Sequence, residues 1–444
     1  MSRKIKKIAL ISPRKKIKDQ NPRLHKMFER NINTLKLWYA PSLNLLVIAA
    51  LTPNDIEITL FDEYIEEIDF DQQFDLVGIT AMTIQAKRAY EIADIYRAKN
   101  IPVVMGGVHA TVMPEEALTH ADVVFKGEAE RTWPQFLKDF EAGKEKQIYE
   151  DNEPFDLSKS VVPRYELLNY EKFHKVEEFY KFMPVQATRG CPHDCSFCVV
   201  SKLLGKKIRK KPVHLVVEDI KRMKSLNYDS VLIFTDDNLF FDRKYAIELL
   251  NALIPLKIKY FAQTDIQLAN DPEFLELVYK SGCVMVGIGF ESVDPHSLES
   301  LNKNNWKQKQ LQNYEKAIEA IQSHGILVWG AFVIGFNNDT PCTFDNIKNF
   351  VVKNKILGQF TLLTPLPGSR IYEEMKSEGR LLRETFWDNS SFWDMTIRHD
   401  HIPKELAEQK IEWIHEEAYS EENIRIRHRH MMEIYKRLPP RWAN

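Results

Sequence analysis

Three of the chain's five cysteines, Cys191, Cys195 and Cys198, fall within eight residues, spaced C-x3-C-x2-C in the stretch ATRGCPHDCSFCVV (187–200). Three thiolates on one short loop can hold three irons of a [4Fe–4S] cluster and leave the fourth iron free of protein ligands. That open iron is a place where a small molecule can bind and receive an electron. Gly190 before the first cysteine and Pro192 after it suit a backbone that wraps closely round a compact inorganic core. The competing reading is zinc, but structural zinc takes four ligands, usually as two pairs, and the chain has no second pair. Cys283 and Cys342 stand alone in apolar or helical surroundings and read as packing residues. His193 sits inside the loop, where its geometry as a fourth ligand is poor.

With a phenylalanine, Phe197, just before the third cysteine, the motif resembles the radical S-adenosylmethionine (SAM) superfamily. The rest of the chain has to position that loop. At 444 residues it is long enough for two or three domains. A formal charge of −2 gives no global field for nucleic acid or membrane. No apolar run reaches bilayer length, no signal-peptide core is present, and the few clustered cysteines fit a reducing compartment, so a cytoplasmic protein is expected.

The first eighteen residues carry eight Lys or Arg and no acid, which reads as a solvated flank to a strand at 7–12. Strands are expected at 7–12, 56–61, 76–80, 103–105 and 123–125, with helices at 41–51 and 87–99. Short apolar runs alternating with helices indicate a doubly wound parallel sheet, which binds ligands at the carboxyl ends of its strands. Three strand-end segments are therefore candidates: 12–15, 80–83 (ending on Thr83) and 106–111 (GGVHAT), where Gly106 and Gly107 let something large approach the backbone.

GGVHAT, then KGEAE at 126–130, then the cysteine motif together resemble cobalamin-binding radical SAM proteins. The resemblance spans roughly residues 4–419. It implies a corrinoid on the N-terminal domain, its nucleotide tail buried in the sheet. The Asp-x-His-x-x-Gly signature of the classical cobalamin domain is absent, because the first strand is followed by SPRKKIKDQ. His109 then reads as a loop residue near the tail rather than a cobalt ligand.

Residues 141–183 read as a connector, too aromatic to be disordered. From 184 onward strands are expected at 185–188, 230–235, 260–264, 284–290, 327–334 and 358–363, with helices at 213–226, 243–253, 272–280, 308–323 and 343–354. The expected fold class is α/β: a Rossmann-like cobalamin-binding domain (1–140), the connector, a partial (β/α)6 TIM barrel of radical SAM type (184–370) and a helical C-terminal region (371–444).

Barrel chemistry belongs on the strand ends. The resemblance places the SAM amino group near Asp236, Asp237 and Asn238, where one aspartate could instead cap a helix. It adds Gln263 and Asp265 after the third strand, Glu291 and Ser292 in the ribose-contacting region, and Gly335 beside the adenine. The run KLLGKKIRKK (202–211) has six cations in ten residues. No aromatic interleaves it, so base stacking is unsupported and no nucleic-acid partner is expected; a solvated rim, with Arg209 facing SAM or substrate, is preferred. Phe386, Trp387, Phe392 and Trp393 read as packing aromatics, and the 425–430 run as a basic face of a fold-back helix.

The resemblance implies an enzyme with a [4Fe–4S] cluster, SAM and cobalamin, fed by an electron donor such as flavodoxin or ferredoxin. It would methylate an unactivated carbon of a small molecule, lipid or peptide. A non-methylating radical reaction is the alternative, and an iron–sulfur carrier or sensor the non-enzymatic one.

Overall fold

The computed structural model describes residues 4–14, 37–175, 179–228, 230–383, 385, 387 and 391–442. Fifteen strands lie among these: β1 (Lys7–Ser12), β2 (Leu37–Tyr39), β3 (Glu57–Asp62), β4 (Leu76–Thr80), β5 (Val103–Gly106), β6 (Val123–Lys126), β7 (Ile148–Glu150), β8 (Phe179–Val185), β9 (Thr188–Arg189), β10 (Arg209–Lys210), β11 (Val231–Phe234), β12 (Tyr260–Thr264), β13 (Cys283–Glu291), β14 (Leu327–Ile334) and β15 (Leu357–Leu362). The basic residues 15–18, the 12–15 strand end beyond Arg14, and Phe386 lie outside the described residues.

The first sheet runs β3-β1-β4-β5-β6-β7, every neighbouring pair parallel. Its middle strands are apolar on both faces: β4 is buried at all five positions because helices cover both sides. Separate cores form on the two faces, one around Ile11, Val77, Ile79 and Met105, the other around Leu10, Leu76, Val104 and Phe125. The chain leaves β1 for β3 on one side and returns to β4 on the other, so the order reverses between β1 and β4, where such sheets open a ligand crevice.

The second sheet runs β15-β14-β13-β12-β11-β8-β2, again wholly parallel, and among the described residues no strand joins β15 to β2, so the barrel these form is open on one side. Along β14 the residues alternate half-buried and buried. One face, with Val328, Phe332 and Ile334, packs on the surrounding helices, and the other faces the concave side. Phe182, Phe261 and Met285 with Trp329 close the concave side's floor.

Several expectations move. β2 comes from the N-terminal part yet adds a seventh strand to the barrel sheet, pairing with β8. β7 extends the first sheet into the expected connector. Expected strand 185–188 is split, with β8 ending at Val185 and β9 turning to pair antiparallel with β10. GGVHAT is not a loop: it forms the helix Gly107–Val112. His109 on that helix is fully buried, its Nε2 is 2.7 Å from the Tyr90 hydroxyl, and its ring packs near Trp387. An apolar helical turn between two aromatic neighbours buries the imidazole rather than offering it to a ligand.

Candidate functional site

The cysteine loop is built on backbone that only a few residues tolerate. Gly190 has φ +97°, and a Cβ there would lie 2.6 Å from the Lys207 carbonyl oxygen and 2.9 Å from that of Gly205. The Cys191 N–H donates to the Gly205 carbonyl at 3.3 Å, and the Ser196 N–H to the Leu301 carbonyl at 2.7 Å. All three thiols are half-buried. Burial pushes the Cys195 thiol up to about 12 and that of Cys198 up to about 11, against the pull of the Lys307 ammonium on Cys195. Cys195 feels the charges of Cys198 and Cys191, and Cys198 that of Cys191. Among the described residues no three His, Cys, Asp or Glu side chains meet at a point that could hold one ion.

The two neighbouring aspartates divide their work. Asp236 is fully buried and accepts from the Ala187 N–H at 3.1 Å, the Thr188 N–H, and the Thr188 hydroxyl at 2.6 Å. It pins the chain entering the cysteine loop. Burial nonetheless raises its carboxyl to about 7. Asp237 lines a cavity beside the cysteine loop, and burial raises it to about 6 although the Gly190 N–H bonds to it.

Most of the other sequence candidates have protein partners. Asn238 donates to Asp265 at 2.8 Å, and the same Asp265 oxygen is 2.8 Å from Nε2 of His193, so these residues clamp the cysteine loop to the barrel. Glu291 meets Lys307 at 3.0 Å with both side chains nearly buried. A register shift at Gly289–Glu291 puts Glu291 at φ +64°, a bulge that re-aims its side chain. Ser292 is fully buried and accepts from the Asp294 N–H. The N–H groups of Gly335 and Phe336 both donate to Asp339, at 2.7 and 2.9 Å. Buried polar groups find partners, which is why these strand ends are tied down. Gln263 is exposed, and Phe197 packs on Phe336 with ring centroids 5.8 Å apart. Arg209 does not face a ligand: it donates to Glu128 at 2.8 Å and to the Phe155 carbonyl at 2.9 Å.

Sequence reasoning missed Lys307, Asp339, Arg189 and Glu128. Arg189 binds Glu130 at 2.6 Å and also Glu128, joining the segment after β6 to the residue before Gly190. KGEAE and TRG carried the charges, but nothing in either stretch announces the other.

A cavity of about 610 Å³ runs between the two sheets. It begins between β1 and β4 at Leu10 and Gly78, passes Gly106 and Gly107, and ends against Asp237 and Val199 of the cysteine loop. Thr83 lines it, and its buried hydroxyl has no hydrogen-bond partner among the described residues. Gly107 has φ +89°, and a Cβ there would be 2.6 Å from the Thr80 Oγ1. No histidine is among its lining residues in the described part of the chain. Glycine-bearing strand ends on one side and the cysteine loop on the other leave room for a large ligand such as cobalamin.

The model of the radical SAM superfamily matches residues 185–351, and that of the B12 binding domain matches 39–137. The chain is 33% identical over 375 residues to a bacteriochlorophyllide d C-12(1)-methyltransferase of Chlorobaculum tepidum, covering 83% of this chain and 79% of that protein. The chain belongs to the cobalamin-binding radical SAM family. A bacteriochlorophyllide d C-8(2)-methyltransferase of the same organism is 32% identical, covering 86% of each chain. The structure of the radical SAM methyltransferase TsrM from Kitasatospora setae with cobalamin and a [4Fe–4S] cluster has the same fold: TM-score 0.63, 16% identity, 85% of this chain and 75% of that one. The family's cofactors are a [4Fe–4S] cluster, SAM and cobalamin, and the protein is an enzyme. No helix among the described residues is long and apolar enough to cross a membrane.

Proposed function

We propose that this enzyme methylates an unactivated carbon of an apolar substrate. The observation that carries the reading is the single cavity joining the ends of the first sheet's strands to the cysteine loop. When bound, the cluster supplies one electron to the sulfonium of SAM, and cobalamin supplies a methyl carrier. Cys191, Cys195 and Cys198 hold the cluster, and Gly190 lets their loop close round it. Asp236 fixes the loop's entry, while Asp237 presents a carboxyl suited to the SAM ammonium. Thr83, Gly106 and Gly107 would receive cobalamin. Arg189, Glu128 and Glu130 hold the two sheets in register, and the apolar walls keep water from the reacting groups. The two named relatives are nearly equally similar and differ in the position they methylate, so similarity selects neither position for this chain.

The test is anaerobic turnover of enzyme folded with cobalamin, using SAM with a deuterated methyl group and candidate apolar acceptors. Methyl transfer yields S-adenosylhomocysteine, 5′-deoxyadenosine and a deuterated product together. 5′-Deoxyadenosine without S-adenosylhomocysteine would replace methyl transfer by another radical reaction.

A further inference from the structure

The basic run 202–211, the densest charge in the sequence, is left unused by the chemistry, and the fold sets half of it against the cysteine loop. The Lys207 carbonyl packs on Gly190, and the Gly205 carbonyl accepts from Cys191. Lys206 meets Asp194, a residue of the loop, at 2.7 Å with its own side chain two-thirds exposed. Arg370 arrives from a different element, donating to the Asp194 carbonyl at 2.9 Å. The Lys202 stem lies beside Gly368. Lys202 and Lys207 are exposed, and neither has an ion-pair partner among the described residues. The other half is committed inward or sideways: Arg209 to Glu128, Lys210 to Asp242 and Lys211 to Asp219.

We infer that Lys202, Lys206, Lys207 and Arg370 form the docking surface for an acidic low-potential electron-carrier protein. The inference rests on the radical SAM reading, which requires one electron from outside. Four cations from two parts of the chain converge on the outer side of the loop that holds the cysteines, and its one acid, Asp194, is already paired. A carrier seated there meets the segment whose Gly205 carbonyl accepts from the Cys191 N–H. The whole chain carries a charge of −2, so this local excess is a feature of the face and not of the protein. Charge complementarity of this kind raises association rates about 10- to 1,000-fold and makes them salt-dependent. The transfer makes and breaks no bond: one electron leaves the reduced carrier and one enters the cluster. Nucleic acid is the less favoured occupant because no aromatic interleaves the cations.

The probe is a bacterial flavodoxin and the protein is the full-length reconstituted enzyme. The variant is Lys202→Glu with Lys207→Glu, which leaves Lys206 and Arg370 on the cysteine loop. Binding is measured at low and high salt, and cluster reduction is followed by absorbance with either flavodoxin or dithionite. Wild type binds flavodoxin with an affinity that falls as salt rises. The variant loses about tenfold or more of that affinity at low salt, together with its salt dependence, while dithionite reduces its cluster at the wild-type rate. The pair Lys202→Arg with Lys207→Arg keeps the affinity. Unchanged flavodoxin binding in the charge-reversed variant overturns the inference. So does equal slowing with both reductants, or tighter binding of a duplex oligonucleotide than of flavodoxin. A wild type that is reduced by flavodoxin yet never cleaves SAM would overturn the functional reading and leave the docking surface standing.

Discussion

Replacing Lys307 by methionine leaves the Glu291 carboxylate buried without a cation and removes the donor that the Gly289 carbonyl accepts at 2.6 Å. Both partners are 7% exposed, so water replaces the lost ammonium poorly. Removing one partner of a buried ion pair costs about 3–5 kcal/mol, against about 0–1 for an exposed pair. Burial disfavours the Lys307 charge, but Glu291 and then Cys195 outweigh it and raise the ammonium's pKa above its ordinary value. The folded state therefore holds this proton more tightly than the unfolded chain does. Its stabilisation is present in full below the unfolded lysine pKa and is lost only as pH climbs through the higher folded value. Neutral pH is well inside the stable window. The neutral double variant Glu291→Gln with Lys307→Met creates no buried charge, and swaps of this kind are close to neutral. The coupling between the two single changes is then about 3 kcal/mol or more. The assay is anaerobic urea unfolding of the four proteins at equal iron content, read by tryptophan fluorescence. A coupling below about 1 kcal/mol, the range of a solvated pair, would refute the reasoning.

Two further outcomes are expected. Gly107→Val places a Cβ at 2.6 Å from Thr80 Oγ1 and 3.0 Å from the Ala81 backbone at φ +89°, whereas a Cβ at Gly106 meets only Phe125 at 3.6 Å; cobalamin stoichiometry should collapse in Gly107→Val and survive in Gly106→Ala, with cluster iron kept in both, and equal cobalamin content in the two variants would contradict this. Burial raises Asp236 to about 7, so the folded state binds its proton more tightly and stability falls as pH rises from about 4 to about 7; Asp236→Asn should flatten that part of the stability–pH curve, and an unaltered curve would assign the slope to other groups.

The strands were legible because their signal is local. β1, β4, β12 and β14 are bounded by the apolar runs KIALIS, LVGIT, YFAQT and LVWGAFVI, and each run is one strand. Gly106 and Gly107 were legible for the same reason, since a strand end followed by two glycines allows few backbones. β2 and β7 were not, at three residues each. A strand that short has no period to detect, and β2 exists only because β8 offers an unpaired edge 140 residues later. The helix Gly107–Val112 escaped because a glycine and three β-branched residues are weak helix formers. Its stability comes from tertiary packing, with Ala110 and His109 buried against the domain.

The strand-end polar residues teach a different lesson. Their order along the chain identifies a barrel of this family, yet order says nothing about which side chain is spent on structure. Asp236 and Asp237 are adjacent and chemically identical, but one is surrounded by the N–H groups of 187 and 188 and the other opens on the cavity. The difference lies in their partners: Asp236 is held by the chain entering the cysteine loop, and Asp237 lines the cavity. Glu291 is diverted in the same way by a lysine from a helical segment sixteen residues on. The loop that holds the cysteines is thus gripped from several sides, by Asp236, by His193 with Asp265, and by Arg189 with the first domain. A redox centre that must hold one geometry through repeated turnover needs that grip, so the polar residues nearest the cysteines are largely committed to positioning. That leaves Asp237 and Thr83 among the predicted polar residues that line the cavity, Thr83 with its buried hydroxyl unpartnered among the described residues.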